Sequence, residues 1–158
     1  MRVFLLNLAI ALLWTFLDTK PALPEFLFGF GMGFVLVWLG RGLFPASRYV
    51  PRSLAFVGFV WAFGREFLRS NAELAAAALF RRPEDIESGF LEYDTSGLGA
   101  WEVLLLSHCI TLTPGTTTVE ISGGGDRLLL HAFDASDPER VRRDIDRLLR
   151  EPLLMWTR

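Results

Sequence analysis

The chain has 158 residues, room for about one domain with additional helical segments. Hydrophobic residues make up 51%, with 14 Phe against 2 Tyr, and the mean hydropathy is +0.34; the excess lies before Leu79, which disfavours an ordinary soluble domain. The net charge of -2 excludes the basic footprint of a nucleic-acid binder. Cys109 stands alone, excluding an intrachain disulfide framework and a Cys-based zinc site, and with His108 and His131 as the only histidines no metal cluster is expected.

Val3 to Leu17 is an apolar run broken only by Asn7 and Thr15, with Arg2 before it and Asp18 and Lys20 behind. Phe26 to Gly40 is a second, uncharged run closed by Arg41. Both fall short of the about 20 residues of a full membrane span, although flanking residues extend them and Arg side chains reach toward an interface. The first run has the charge and apolar core of a signal peptide, but Thr19-Lys20-Pro21 is a poor cleavage site and a second run follows directly. A retained transmembrane hairpin over residues 1–52 is therefore expected. The linker Asp18–Glu25 is slightly acidic, whereas the next contains Arg41, Arg48 and Arg52 and no acid, which predicts a cytoplasmic N-terminus and a cytoplasmic second linker. Gly29 and Gly33, four apart, would let a neighbouring helix approach closely; Asn7 is an interhelical hydrogen-bonding candidate and Trp14 an interface anchor.

Residues 53–83 are expected to form a stem helix. Leu54 to Phe63 is apolar, but Arg65, Glu66 and Arg69 follow in the same stretch, and Glu66, Arg69, Ser70 and Glu73 share one helical face. This third helix either lies along the membrane interface or crosses it, continues through Ala75–Ala78, and stops at Pro83.

Residues 84–158 read as a small cytoplasmic α+β domain of order β-α-β-β-α. Gly89–Thr95 is a strand, Gly99–Cys109 an apolar-faced helix, and Thr116–Ser122 and Arg127–Phe133 a hairpin about Gly123-Gly124-Gly125-Asp126. Ser136-Asp137-Pro138-Glu139 is a capping box, with Ser136 at the N-cap, opening a helix that turns Val141, Ile145, Leu148 and Leu149 inward. Such a domain, at about 70 residues, is near the lower limit for an independent core and is expected to lean on the stem or a partner. No catalytic constellation assembles: Ser107, His108 and Cys109 are adjacent on a helix and point apart, and the glycine run opens a hairpin instead of a phosphate-binding helix.

Ile110-Thr111-Leu112-Thr113-Pro114-Gly115-Thr116 is the most distinctive segment. Pro114 suits the first central position of a turn and Gly115 the positive φ that often follows, but the threonine collar exceeds what a turn requires. In this segment, in the hairpin ending at His131 and Asp134, in Asn7-Leu8-Ala9 with Trp14, in Phe28-Gly29-Phe30 with Gly33, and in Phe67-Leu68-Arg69-Ser70-Asn71, the chain resembles the E subunit of the multisubunit Mrp-type (Mnh, Sha or Pha) cation/proton antiporters. Ser107-His108-Cys109 departs from the small or amide residues expected before the signature. The resemblance implies an accessory subunit, neither an enzyme nor a cofactor protein, in a hetero-oligomer exchanging Na+ or K+ for H+ at a bacterial plasma membrane. It would serve assembly or shape the cation route, while larger subunits move the protons. Its implied partners are the other antiporter subunits and the lipid bilayer. Ile110 to Thr116 and His131 become candidate docking residues, Asn7, Trp14, Gly29 and Gly33 candidates for helix packing, and Glu66, Arg69 and Asn71 candidates in the stem. The other reading is a membrane-anchored scaffold without a transport role.

Overall fold

The computed structural model describes residues 2–17, 21–43, 48–82, 84 and 86–158. Asp18, Lys20 and Pro83, which bound expected helices, lie outside them. The chain divides into two compact units, Met1–Leu54 and Ala55–Arg158.

In the first unit, α1 (Arg2–Leu17) and α2 (Leu23–Leu39) form a close-packed pair, followed by a 3-10 turn (Gly40–Leu43). Pro24 in the first turn suits the start of α2, where the missing N–H has no intrahelical partner to lose. The pair meets through small residues: Val3, Asn7 and Ala11 are buried on α1, and Gly29, Gly33 and Val37 on α2. A Cβ on Gly29 would lie 2.8 Å from the Trp14 Cβ, and one on Gly33 would lie 2.1 Å from the Asn7 Oδ1, so both positions demand glycine. The Asn7 amide donates to the Tyr49 hydroxyl at 2.7 Å. Among the described residues its buried Oδ1 has no hydrogen-bond donor.

The transmembrane hairpin expected from the sequence is not supported. The 16 residues of α1 and 17 of α2 rise only about 24–26 Å at 1.5 Å each, short of a hydrocarbon core of about 30 Å. The next helix, α3 (Tyr49–Phe80), has 32 residues, but Arg52, Arg65, Glu66, Arg69 and Glu73 interrupt its apolar stretch. Among the described residues, no helix is long and apolar enough to cross a membrane. Two spans, a third span and a multi-pass arrangement are all corrected by this finding. The expectation relied on flanking residues to extend two short apolar runs; the helices formed do not supply the continuous apolar length a span needs.

Most of α3 belongs to the second unit, where it is followed by β1 (Gly89–Asp94), α4 (Ala100–Leu112), β2 (Thr116–Ile121), β3 (Arg127–Ala132) and α5 (Pro138–Ile145). A π-helical turn (Asp146–Arg150) leads into α6 (Glu151–Thr157). Pro152 in the first turn of α6 explains that turn: proline can neither donate to the carbonyl four residues back nor tolerate its closeness, so the helix widens before it. The sheet has order β1-β3-β2, both pairings antiparallel. Register runs Leu91↔Leu130 and Tyr93↔Leu128 on one side and Thr118↔Leu130 on the other, with an irregularity between Thr118 and Glu120 that leaves Val119 unpaired.

Alternation along β1 and β3 sends Leu91, Tyr93, Leu128, Leu130 and Ala132 into a core completed by Val103, Leu106 and Ile110 of α4 and Ile145, Leu149 and Leu153 of the last helices. Phe59 of α3 joins this core and stacks on Trp156, with ring centroids 5.6 Å apart. The support expected from the Ala-rich stem thus comes largely from aromatic residues nearer the start of α3. N-capping of α5 falls to Asp137, whose carboxylate accepts from the Arg140 N–H at 2.9 Å; Ser136, expected there, instead donates to Asp134.

Candidate functional site

The threonine-rich segment is built around the end of α4. Residues Ile110–Leu112 form its last turn, leaving carbonyls there without helical partners. Thr113 Oγ1 donates to the Cys109 carbonyl at 2.8 Å, Thr111 Oγ1 to Ser107 at 2.9 Å, and Thr116 Oγ1 to Ile110 at 3.1 Å. Thr118, next on β2, donates its hydroxyl to Ser107 and its N–H to Thr111 Oγ1. The Thr113 N–H itself caps the Cys109 and Ile110 carbonyls, and the hydroxyl collar adds second bonds that tie the end of α4 to β2. Between them, Gly115 has φ +96° and the Thr116 N–H reaches the Thr113 carbonyl at 3.4 Å, a type II arrangement. The Gly115 carbonyl accepts from the Phe133 N–H at 2.8 Å, tying the corner to the end of β3.

The outward side of the corner, Thr113 to Thr116, forms one wall of a groove of about 550 Å³. The α3 stem supplies Glu66, Ser70, Glu73 and Ala77, and α5 supplies Arg140, Val141 and Asp144. The other signature residues lie elsewhere: Ile110 is fully buried in the core, while Leu112 is 59% exposed.

Glu66 is the electrostatically unusual residue of the groove. Its side chain is only 13% exposed, and the Arg69 guanidinium stands 3.9 Å away. Arg69 is engaged instead by Glu73, at 2.8 Å. Desolvation therefore raises the pKa of Glu66, Arg69 opposes the rise, and Glu73 and Asp144 add to it. Ser70 is buried and returns its hydroxyl to the Glu66 carbonyl; the Asn71 amide donates to the Phe67 carbonyl on an exposed face. At the far end, hydrogen bonds from Ser136, foremost its hydroxyl, and the pairing with Arg81 hold the Asp134 carboxyl below its ordinary range.

His131 lies apart from the groove, on the sheet face opposite the core, with its ring edge-on to Phe90 at 5.1 Å. Asn7, Trp14, Gly29 and Gly33 belong to the first unit: Gly29 and Gly33 sit in the α1–α2 contact, and Trp14 meets Phe28 at 5.3 Å. The Ser107 hydroxyl and the His108 Nδ1 both contact the Leu104 carbonyl, and burial lifts the Cys109 thiol to about 11, so these three serve the helix and not nucleophilic chemistry. Among the described residues no group of His, Cys, Asp and Glu is arranged to hold a metal.

Two polar locks were missed by sequence reasoning. Glu102 accepts from the Gly99 N–H, Thr157 and Arg158, and these bonds, Arg158 foremost, depress it to about 2. Tyr93 donates to Asp146 at 2.5 Å, while Arg150 reaches Asp146 and the carbonyls of Asp94 and Ser96. Apart from Gly99–Glu102 and Asp146–Arg150, at local helical spacings, their partners lie more than 50 positions apart in the chain, where no spacing announces them.

Residues 7–155 match the family described as MNHE, Na+/H+ ion antiporter subunit. The chain is 30% identical over 142 residues to "Na(+)/H(+) antiporter subunit E1" of Staphylococcus epidermidis, covering 90% of this chain and 89% of that protein. A chain in the structure of the Mrp complex from Dietzia sp. is 28% identical, covers 59% of this chain and 87% of its own length, and superposes with a TM-score of 0.44. A chain of the archaeal membrane-bound sulfane sulfur reductase, a respiratory membrane complex, superposes with a TM-score of 0.55 over 96% of this chain and 98% of its own, at 22% identity; that likeness is one of fold. With the match running almost from end to end, the chain belongs to the MNHE family of Na+/H+ ion antiporter subunits.

Proposed function

We propose that this chain is an accessory subunit of a multisubunit monovalent cation/proton antiporter, required for assembly or for shaping the cation route. The observation that carries this reading is the family match over residues 7–155. The partners are the other antiporter subunits, in a bacterial membrane-associated complex. Their association would cover the apolar surface left open on the helices, such as Leu13 at 64%, Phe16 at 73% and Leu39 at 68% exposure. We place the α+β unit on the cytoplasmic side, supported by Arg41, Arg48 and Arg52 in a segment without acid, which suits the anionic inner leaflet. The Thr113–Thr116 corner is the docking candidate of the signature, its threonine hydroxyls being committed to α4 and its outer side to the groove.

Deleting the chain and assaying everted vesicles for Na+/H+ and K+/H+ exchange separately tests the reading. Loss of exchange with at least one cation, restored by the plasmid-borne chain, is expected. Full exchange of both cations in its absence would overturn it.

A further inference from the structure

We propose that the groove between the α3 stem, α5 and the Thr113–Thr116 corner receives a basic, apolar-flanked segment of another antiporter subunit, whose Lys or Arg meets Glu66 and Asp144. The inference rests on the antiporter-subunit reading and names the contact through which the α+β unit is held.

Three observations converge on this occupant. The first is size: about 550 Å³ fits side chains of a docked segment and far exceeds a bare cation. The second is the lining, in which Leu74, Ala77 and Val141 offer apolar contact beneath a charged rim. The third is charge. Seven charged side chains line the groove, five carboxylates against two guanidiniums. Arg81 is bonded to Asp134 and Arg69, beside the groove, to Glu73, and Arg143 stands 3.7 Å from Asp137; Arg140 stands 3.9 Å from Asp144, as loosely placed as Arg69 is toward Glu66.

Glu66 is what remains. Among the described residues no hydrogen bond reaches its carboxylate, its only ion-pair neighbour is at 3.9 Å, and its side chain is 13% exposed. A carboxylate largely withdrawn from water and only loosely paired is unfavourable, and a cation delivered into the groove offsets that penalty. A long aliphatic side chain ending in an ammonium or guanidinium satisfies the apolar lining and the carboxylates together. An acidic or purely apolar segment satisfies one at the expense of the other.

The test places a photoreactive benzoylphenylalanine at the exposed rim residue Ala76 of the tagged full-length chain in its native cells. After irradiation the complex is purified in mild detergent and the cross-linked peptide identified. The expected product joins Ala76 to another co-purifying antiporter subunit, at an apolar segment containing Lys or Arg. Glu66→Gln, which keeps the side-chain shape, is expected to lower that product on the order of tenfold, as loss of one member of a desolvated charge pair does. Glu66→Lys is expected to be rescued when the partner's cation is exchanged for Glu. An intact complex whose cross-link leads only to lipid, to a second copy of this chain, or nowhere would overturn the proposal, as would a product indifferent to Glu66→Gln. Recovery of the chain alone would instead overturn the antiporter-subunit reading and this contact with it.

Discussion

At the residue scale, the threonine segment shows what side-chain identity does that composition does not reveal. Gly115 sits at φ +96°, where a Cβ is strained although nothing crowds it. Gly115→Ala should therefore destabilise the chain by about 1–2 kcal/mol, seen as a lower thermal midpoint of the purified protein. Thr113→Val removes, at nearly constant volume, the hydroxyl that adds a second bond to the Cys109 carbonyl, and should cost about 1 kcal/mol by the same measurement. The turn was legible because Pro and Gly restrict backbone angles locally. The capping role of the threonines was not, because it depends on α4 running to Leu112, three residues beyond the expected end at Cys109. Glu102 makes a pH-dependent contribution of definite sign. Its folded pKa of about 2 lies below the ordinary 4.5, so its stabilisation is present above pH 4.5 and is lost as pH falls from there toward 2. Glu102→Gln should weaken the protein at neutral pH and flatten its acid unfolding across that window, followed by tryptophan fluorescence.

At the element scale, strands and helices differ in how openly the sequence states them. Alternation of Leu128, Leu130 and Ala132 against Arg127, Leu129 and His131 marks β3, and the glycine run marks its hairpin. Nothing local marks the unpaired Val119, the strand order, or the π-helical turn, which requires weighing Pro152 against an otherwise continuous helical pattern. Trp156 ties α6 to α3 through Phe56 and Phe59, a contact between distant segments that periodicity does not reveal. Trp156→Ala should lower stability by about 2 kcal/mol, below the range for fully buried tryptophan because its ring is half-buried. In the α1–α2 pair the glycines separate cleanly. Gly33→Ala drives a Cβ to 2.1 Å from the Asn7 Oδ1 and should lower the amount of folded chain, whereas Gly31→Ala meets nothing within 4 Å and should leave it unchanged. Quantitative immunoblotting of the two variants checks the contrast.

At the scale of the whole molecule, a hydrophobic content of 51% is distributed over helices that are individually too short or too charged to cross a membrane. Their exposed leucines and phenylalanines, and the under-compensated Glu66 of the second unit, are surfaces suited to partners. Family identity was legible because the Ile110–Thr116 signature sets a threonine collar around a conformationally restricted Pro-Gly corner, more than an ordinary turn requires. The most direct measurement of the central claim is the composition of what accompanies the affinity-tagged chain when its native membranes are extracted in mild detergent. The account predicts a stable complex containing several larger, very hydrophobic antiporter subunits that restores cation/proton exchange on reconstitution; recovery of the chain as a lone monomer, with exchange activity left in the unbound fraction, would contradict it.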